Sequence, residues 1–409
     1  MIRAGIRTGE LGDTVSGSKV LVAGASIAGP ALAHWLRRRG AEVTVVERAP
    51  GLRPGGQAVD ARGVTREVIR RMGLDAAVRA ARTETVGAHN VDADGTVLET
   101  FRAEDDGGDG YISEIEILRG DLSQVLYDDT RDGVEYVFGD RIAELTQDAD
   151  GVDVVFAGGD RRRFDLVVGA DGLHSALRAM VFGPHEECVR HLGHVLAFYS
   201  VPNEFGLDRW LLEHQEAGRS AMLRPIGDAT RAMAMFSFTA AGFDVDYRDI
   251  DAQKRLLRER IAGLGWLTPR LLEHLDDTPD FYLDQVAQVV LDRWSSGRVA
   301  LLGDAAFSSS PLSGQGTGLA LVGAYLLAGE LATAGWNPEA GFAAYETRMR
   351  PFVEANQEIG RLHASMRSGA APDAEPDMEA LTELAERAIN GVELPDYAGV
   401  PDAGVSVRS

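Results

Sequence analysis

Three short stretches rich in glycine and aspartate are the parts of this sequence best suited to hold a nucleotide. They are residues 24–29, the Asp-Gly pair at 171–172, and the Gly-Asp pair at 303–304 with the glycines that follow it. Glycine lets a backbone approach a phosphate closely, and a carboxylate accepts hydrogen bonds from sugar hydroxyls. We therefore expect the three stretches to meet around one ligand that carries phosphate and sugar groups.

The first stretch follows the G-x-G-x-x-G fingerprint, with Ser26 in place of the middle glycine. Serine is small, and its hydroxyl can itself donate to a phosphate. Glu47 lies 23 residues after Gly24, where a carboxylate accepts hydrogen bonds from a ribose diol. NAD and FAD fit equally well, because both contain ADP, and a tight turn without a ligand is the alternative. The predicted contacts here are Gly24, Ser26, Ile27, Ala28, Gly29 and Glu47.

The elements around this turn are those of a strand–helix–strand unit. Residues 19–23 are an apolar run typical of a buried parallel strand, and a helix begins at Pro30 and ends at Gly40. Residues 42–46 follow as the second strand. Later patterns predict a hairpin of 86–91 with 97–101, strands at 111–118, 134–138, 142–147, 152–156, 164–169, within 189–239, and at 282–291 and 298–302, and helices at 318–333, 338–366 and 378–390.

The two later stretches, within 165–178 and 297–316, resemble the DG and GD motifs of class A flavoprotein monooxygenases. This is the p-hydroxybenzoate hydroxylase fold family, which includes tetracycline-inactivating and polyketide-tailoring enzymes. The resemblance covers about residues 19–366. It departs from the family at Phe307, where histidine is common, and at Thr317, where asparagine is common. The implied fold is α/β (α+β overall), with a Rossmann-like FAD-binding βαβ domain, an interleaved β-sheet substrate domain and a long C-terminal helix.

The resemblance also implies which further residues contact tightly bound FAD. The Asp304 carboxylate suits the ribityl hydroxyls, and the glycine-rich turn after Pro311 offers N–H groups to the flavin pyrimidine edge. Arg119 matches a family arginine that contacts FAD. The implied contacts beyond the first turn are Arg48, Gly56, Gln57, Arg119, Asp171, Gly172, Asp304, Pro311, Gly314, Gln315 and Gly316.

The reaction implied by the family is hydroxylation of an aromatic, polycyclic or polyketide-like small molecule through a flavin hydroperoxide. NADPH or NADH would be a transient co-substrate and O2 the oxidant, and no side chain is singled out as catalytic because the flavin carries the chemistry. Hydroxylation and Baeyer–Villiger oxidation remain open. One alternative is a flavin reductase of the isoprenoid type, and another is a flavin-bound protein that sequesters a ligand. A halogenase would need a suitably placed lysine and a Trp-x-Trp-x-Ile-Pro stretch, which the sequence lacks.

Methionines and phenylalanines of the middle region suggest an adaptable apolar wall for a hydrophobic substrate. Their alternative is an ordinary place in the core. The substrate candidates are Met222, Met233, Met235 and Phe307. His185, Cys188, His191 and His194 have a spacing that suits metal ligands on a helix, but we expect a loop there and predict no metal site.

Composition indicates which classes of partner and which compartment suit this protein. The formal net charge of −22 disfavours nucleic acid, and no apolar stretch predicts a membrane span. The single cysteine allows no intrachain disulfide and suits a cytoplasmic protein. A monomer or a homodimer is expected.

The predicted domain boundaries follow from these motifs. Residues 1–18 are a disordered leader, and residues 19–80, 105–184 and 292–337 form a discontinuous FAD-binding domain. Residues 81–104 and 185–291 form the substrate sheet, residues 338–367 the long helix, and residues 368–409 the C-terminal tail.

Overall fold

A computed structural model describes residues 17–105, 109–110, 112–227, 230–243, 245–246, 248–368 and 378–397. Nearly all of the predicted leader and much of the predicted tail lie outside the described residues. The strands are β1 Lys19–Ala23, β2 Glu42–Glu47, β3 Ala58–Asp60, β4 Gly87–Val91, β5 Val97–Arg102, β6 Glu116–Leu118, β7 Glu135–Phe138, β8 Ile142–Gln147, β9 Val152–Phe156, β10 Arg161–Phe164, β11 Leu166–Gly169, β12 Val189–Pro202, β13 Trp210–Glu216, β14 Arg219–Ile226, β15 Arg231–Thr239, β16 Tyr282–Val289, β17 Ser295–Ser296 and β18 Val299–Leu301.

The helices alternate with the strands in the first half of the chain and dominate its end. Those before the large sheet are α1 Ala28–Arg38, α2 Val64–Met72, α3 Asp75–Ala80, α4 Arg119–Thr130, α5 Ala176–Val181 and α6 His185–Cys188. Those after it are α7 Ile250–Ile261, α8 Thr268–Glu273, α9 Asp304–Phe307, a 3₁₀ helix Pro311–Ser313, α10 Gly316–Thr333, α11 Pro338–Arg367 and α12 Met378–Asn390.

A six-stranded sheet in the order β17-β18-β11-β1-β2-β7 holds the three predicted stretches. Strand β1 is buried along nearly its whole length and pairs in parallel with β2 and β11, and β11 pairs in parallel with β18. Parallel strands place their carboxyl ends at one edge of the sheet. The residues that follow these four strands, at 24, 48, 170 and 302, therefore meet at that edge.

A seven-stranded sheet in the order β16-β12-β15-β14-β13-β4-β5 draws its strands from residues 87–102 and 189–289. One face packs against α7 and α8 through apolar side chains such as Tyr199 and Leu223. On the other face, Met233 and Phe198 pack against Leu118 of β6. This second face is turned toward the nucleotide-binding elements. The assignment of the whole sheet as a separate substrate domain stays a prediction.

Helix α10 is the central helix of the core. It is long and apolar enough to cross a membrane by length and composition, but 83% of that stretch is buried inside the protein. It packs against α1 and α11. Its apolar character is therefore explained by contacts within the fold.

Two predicted elements differ from the structure. Within the predicted strand 111–118, whose first residue lies outside the described residues, the described part 112–118 forms a strand only over β6, which pairs with the three-residue β3. Residues His185–Cys188, expected as a loop, form the short helix α6. In the described part of the chain, no group of three or more His, Cys, Asp or Glu residues lies close enough to hold a metal ion.

Candidate cofactor and substrate site

The turn between β1 and α1 requires its two glycines for packing. Gly24 has φ +109°, and a Cβ there would lie 2.3 Å from the carbonyl oxygen of Ala170. A Cβ on Gly29 would lie 1.9 Å from the carbonyl oxygen of Gly24. Ile27 and Ala28 are buried, and no side chain caps the first turn of α1. The backbone N–H groups at this helix N-terminus are therefore left for a ligand.

A narrow crevice opens at this turn, and Arg119 lies along it. The Arg119 guanidinium donates to the Ser26 hydroxyl at 3.1 Å. None of the described residues forms an ion pair with Arg119, and burial, helped by the neighbouring Arg53, lowers the pKa of its guanidinium. A cation without an anion beside a helix N-terminus suits a phosphate. The crevice is lined by Ala25, Ser26, Glu47, Gly51, Leu52, Arg53, Arg119 and Ser123.

The glycine-rich loop at 55–57 is fixed to the start of α4. The Gly120 N–H donates to the Gly55 carbonyl at 2.8 Å, and the Arg119 N–H donates to the Gln57 carbonyl at 3.0 Å. Gly56 has φ +90°, and a Cβ there would lie 2.7 Å from Nε of Arg119. Only glycine lets this loop lie against the arginine, so Gly56 and Arg119 form one unit.

Glu47 joins the ends of the first two strands. Its Oε2 accepts from the Ala25 N–H and its Oε1 from the Ala49 N–H, each at 2.9 Å. Each carboxylate oxygen keeps a further lone pair, which suits the predicted ribose hydroxyls. Arg48 is exposed beside it.

Asp171 has a different local role from the one expected. Its carboxylate accepts from the Ser175 hydroxyl at 2.5 Å and from the Ala176 N–H at 2.8 Å, so it caps the start of α5. A Cβ on Gly24 would lie 3.1 Å from Cα of Asp171, which brings the second stretch against the first. Gly172, with φ +82°, then turns the chain away. The Asp171 carboxylate is committed to the protein, so a direct cofactor contact there stays a prediction.

Arg178 is a buried residue whose linking role was not predicted from the sequence. It is 1% exposed, and its guanidinium donates to the Leu173 carbonyl at 2.6 Å and to the Ala305 carbonyl at 3.0 Å. It therefore ties the second stretch to the third. The available signal was its spacing of three after Ser175, which caps α5 by accepting from the Arg178 N–H.

Asp304 is the first residue of α9. Its side chain is open to solvent, yet protein surrounds it closely enough that burial raises the pKa of the carboxyl, with a hydrogen bond from Ser308 opposing this. A Cβ on Gly316 would lie 3.9 Å from Oδ1 of Asp304. The carboxylate therefore faces the start of α10, and across the ranges described for this chain it has no ion-pair partner.

The first turn of α10 leaves backbone N–H groups available, whereas the N–H groups of residues 313–315 in the preceding turn already donate within that turn. No side chain caps the first turn of α10, and Gly314 has φ +68°. Pro311 and Gly314 are exposed, whereas the Gln315 side chain is 3% exposed and points behind the helix toward Thr65. Contacts from the start of α10 to a ligand would therefore come from backbone N–H groups and not from the glutamine amide.

Tyr282 is the second residue that the sequence reasoning missed. Its ring is 42% exposed and stacks on Phe198 at 4.7 Å, and its hydroxyl donates to Asp284 at 3.3 Å. Asp284 in turn pairs with His174 at 2.7 Å. Burial, with Asp284 and Asp304 adding to it, raises the pKa of the Tyr282 phenol. Tyr282 therefore joins the edge of the large sheet to the crevice.

The four substrate candidates divide into two pairs. Met222 and Met235 are cross-strand neighbours, both half-buried, on the sheet face that is turned toward the crevice. Met233 is 1% exposed because Leu118 covers it. Phe307 is also 1% exposed, with its ring 4.7 Å from that of Trp294. Placing Met233 and Phe307 on the substrate wall was wrong, because both are enclosed by the core.

These observations fit FAD as the ligand. The uncapped N-termini of α1 and α10, the unpaired Arg119 and the solvent-open Asp304 face a continuous edge of the parallel sheet. The first turn suits ADP, Asp304 suits a ribityl chain, and the backbone at the start of α10 suits the polar edge of an isoalloxazine. This fold and site define an FAD-binding oxidoreductase of the p-hydroxybenzoate hydroxylase type.

Comparison with known proteins identifies the family. Residues 17–359 match the family described as FAD binding domain, and the chain belongs to that family, among the class A flavin-dependent monooxygenases. It is 45% identical over 381 residues to an uncharacterized protein of Mycobacterium tuberculosis, covering 92% of this chain and 99% of that one. It is 40% identical over 385 residues to a flavin-dependent monooxygenase of an unknown prokaryotic organism, covering 93% and 99%.

A solved structure agrees with this family. The crystal structure of tetracycline destructase Tet(51) is similar, with a TM-score of 0.82 and 37% identity over 93% of this chain and 99% of that one. Both the fold and the turns that form the site lie inside the matched range. The chain is therefore an FAD-dependent oxidoreductase, as the motifs predicted.

Replacing Arg119 by alanine should weaken FAD binding without unfolding the protein. A charge-assisted hydrogen bond to a phosphate contributes about 1.5–3 kcal/mol, which corresponds to about a 10- to 100-fold higher Kd. Titration of the apoprotein with FAD measures this change. Arg131→Ala, an exposed arginine at the other end of α4, is the matched control. Equal affinities for the two variants would contradict the assignment of Arg119.

Proposed function

We propose that this protein uses NADPH or NADH and O2 to hydroxylate a hydrophobic aromatic, polycyclic or polyketide-like small molecule. The proposal rests on one observation: the nucleotide-binding edge of the six-stranded sheet lies next to a partly open apolar face of the seven-stranded sheet. Asp304 belongs to the first, Met222 and Met235 belong to the second, and Tyr282 lies between them. Similarity to a tetracycline destructase supports a polycyclic substrate.

Different residues of the chain would bind different parts of FAD. The α1 N-terminus and Arg119 hold the pyrophosphate, Glu47 the ribose and Asp304 the ribityl hydroxyls. Backbone N–H groups at the start of α10 stabilise negative charge on the flavin ring. When bound, FAD supplies hydride acceptance and oxygen activation.

The sheet face would position the substrate. Met222, Met235 and Phe198 offer apolar, half-buried surface that excludes water and orients a flat ring. Tyr282 closes this surface on the crevice side through its stack on Phe198. A cytoplasmic location and a monomeric or homodimeric state accompany the proposal as expectations.

An absorbance spectrum of the purified protein, followed by a ligand screen, tests the proposal. A monooxygenase should show bound flavin, and a true substrate should stimulate both NAD(P)H oxidation and O2 consumption, with one oxygen atom added to the product. Ligand-dependent NAD(P)H oxidation without O2 consumption would instead indicate a reductase. Ligand binding without any turnover would indicate a sequestering protein. Asp304→Ala serves as the flavin-free control.

A further inference from the structure

A cluster of four charged side chains lies beneath the turn before α10, and the proposed reaction does not use it. Asp60 ends β3 and Arg62 follows it, Glu116 begins β6, and Arg224 lies on β14 of the large sheet. Arg62, Glu116 and Arg224 are 8%, 5% and 5% exposed. Buried charges are costly unless they are paired, so their arrangement needs an explanation.

One half of the cluster is a committed ion pair. Arg224 binds Glu116, which also accepts from the Thr83 hydroxyl at 2.5 Å. Burial alone would raise the pKa of Glu116, but Arg224 and these hydrogen bonds outweigh it and lower that pKa. Glu116 therefore stays ionised, and Arg224 is neutralised by it.

The other half is less firmly paired. Arg62 approaches Oδ2 of Asp60 at 3.0 Å, whereas Oδ1 of Asp60 is buried with no hydrogen-bond partner in the ranges that the structure covers. Burial raises the pKa of Asp60 to about 6, against the lowering effect of Arg62. The further groups that face Asp60 are Glu116, Arg224 and the backbone of Ser113. Asp60 is the member of the cluster that can change its charge near neutral pH.

Arg62 connects this cluster to the turn before α10. Its Nη1 donates to the Gly314 carbonyl at 3.5 Å, and a Cβ on Gly314 would lie 3.2 Å from the same nitrogen. With Asp60 ionised, two arginines balance two carboxylates and the cluster is neutral. Protonation of Asp60 adds one positive charge to the cluster, whose Arg62 lies against the turn. Such a charge favours negative charge on a ligand at the other side of that turn.

We propose that Asp60 is a positioning residue that takes up a proton from solvent when the bound FAD is reduced and releases it on reoxidation. The inference rests on the proposed placement of the flavin at residues 311–316. A hydride from the nicotinamide carries two electrons and one proton, and it leaves the nicotinamide oxidised and the cofactor with one added negative charge. The second proton forms an O–H bond on the Asp60 carboxylate, which keeps the local charge constant.

Thermodynamic linkage makes this coupling reciprocal. If the protonated cluster stabilises the reduced cofactor, then reduction raises the proton affinity of Asp60 by the same free energy. Below about pH 6, Asp60 is already protonated before reduction and takes up nothing. At high pH it stays ionised in both states. Extra proton uptake is therefore confined to a window just above pH 6.

Counting protons during anaerobic reduction of the holoenzyme tests the inference. A pH indicator in weakly buffered solution reports uptake from about pH 5 to about pH 9, and spectroelectrochemistry gives the reduction potential at each pH. With electrons supplied from the electrode, which brings no hydride, the wild-type protein should take up about one proton per two electrons at the acid end and approach two within the window. Asp60→Asn should stay near one throughout. Asp129→Asn, which removes an aspartate paired with His34 at 2.6 Å on α4, should behave as the wild type.

Several outcomes would overturn the inference. A wild-type proton count that does not change with pH would do so without any variant, even if Asp60→Asn fails to fold. A second proton that persists in Asp60→Asn would belong to the cofactor itself. In both cases the bound flavin would leave the proposed function intact. A protein that takes up no FAD at all would overturn the inference and the proposed function together.

Discussion

Asp304→Ala is expected to yield a folded protein that has lost its FAD. The carboxylate faces the start of α10 and makes no ion pair within the described chain, so its removal disturbs a ligand contact more than the fold. Losing a charged acceptor for two hydroxyls should raise the Kd for FAD at least about 100-fold. The absorbance ratio of flavin to protein after purification measures the loss.

The stability of this variant separates a binding role from a structural one. Burial raises the pKa of the Asp304 carboxyl, so the ionised group is itself unfavourable in the fold. The apoprotein of Asp304→Ala should therefore unfold at the same denaturant concentration as the wild-type apoprotein, or a higher one. Asp304→Asn, which keeps one acceptor oxygen, should retain intermediate affinity. A fully yellow Asp304→Ala protein would remove Asp304 from the site.

Gly29→Ala should destabilise the whole nucleotide-binding unit. The added Cβ would lie 1.9 Å from the Gly24 carbonyl oxygen, which is backbone at the end of β1 and has little freedom to move. Overpacking a rigid core costs about 1–3 kcal/mol, and a backbone clash belongs at the upper end or beyond it. Denaturant unfolding should show a lower midpoint, and FAD retention should fall with it.

The same substitution at Gly51 is the control for this prediction. A Cβ on Gly51 would meet no atom within 4 Å, although the residue lines the same crevice. Gly51→Ala should therefore change the free energy of unfolding by no more than about 0.5 kcal/mol. If Gly29→Ala were as stable as Gly51→Ala, the close approach of α1 to β1 would not be a requirement of this fold.

The two effects have different origins, and together they separate binding from folding. Asp304 acts at the first residue of α9, where its side chain is open to solvent, and its loss removes a contact. Gly29 acts inside the first turn of α1, where the absence of a side chain allows two elements to touch. FAD is lost in both variants, but only Gly29→Ala should also lose stability as apoprotein.

The sequence by itself determined the class of fold and the cofactor. An apolar run that ends in glycine and aspartate can be recognised from a short stretch of sequence. Parallel strands then bring their carboxyl ends to one edge of the sheet, independently of the rest of the chain. Glycines 24 and 29 were predicted from their spacing to let the backbone approach a phosphate, which stays a prediction; the structure adds that a Cβ at either position would clash with backbone atoms. The helix predicted at 378–390 likewise coincides with α12.

Only the tertiary structure decided which side chains face the site and which face the core. Met233 and Met235 share one side of β15, yet Leu118 of a distant strand buries the first and leaves the second half-open. Asp171 was predicted to contact the cofactor; its carboxylate accepts hydrogen bonds at the start of α5, and the cofactor contact stays a prediction. The roles of Tyr282 and Asp60 arise from neighbours far away in the chain, because burial and charge at a point depend on every element packed around it. No local pattern carries that information.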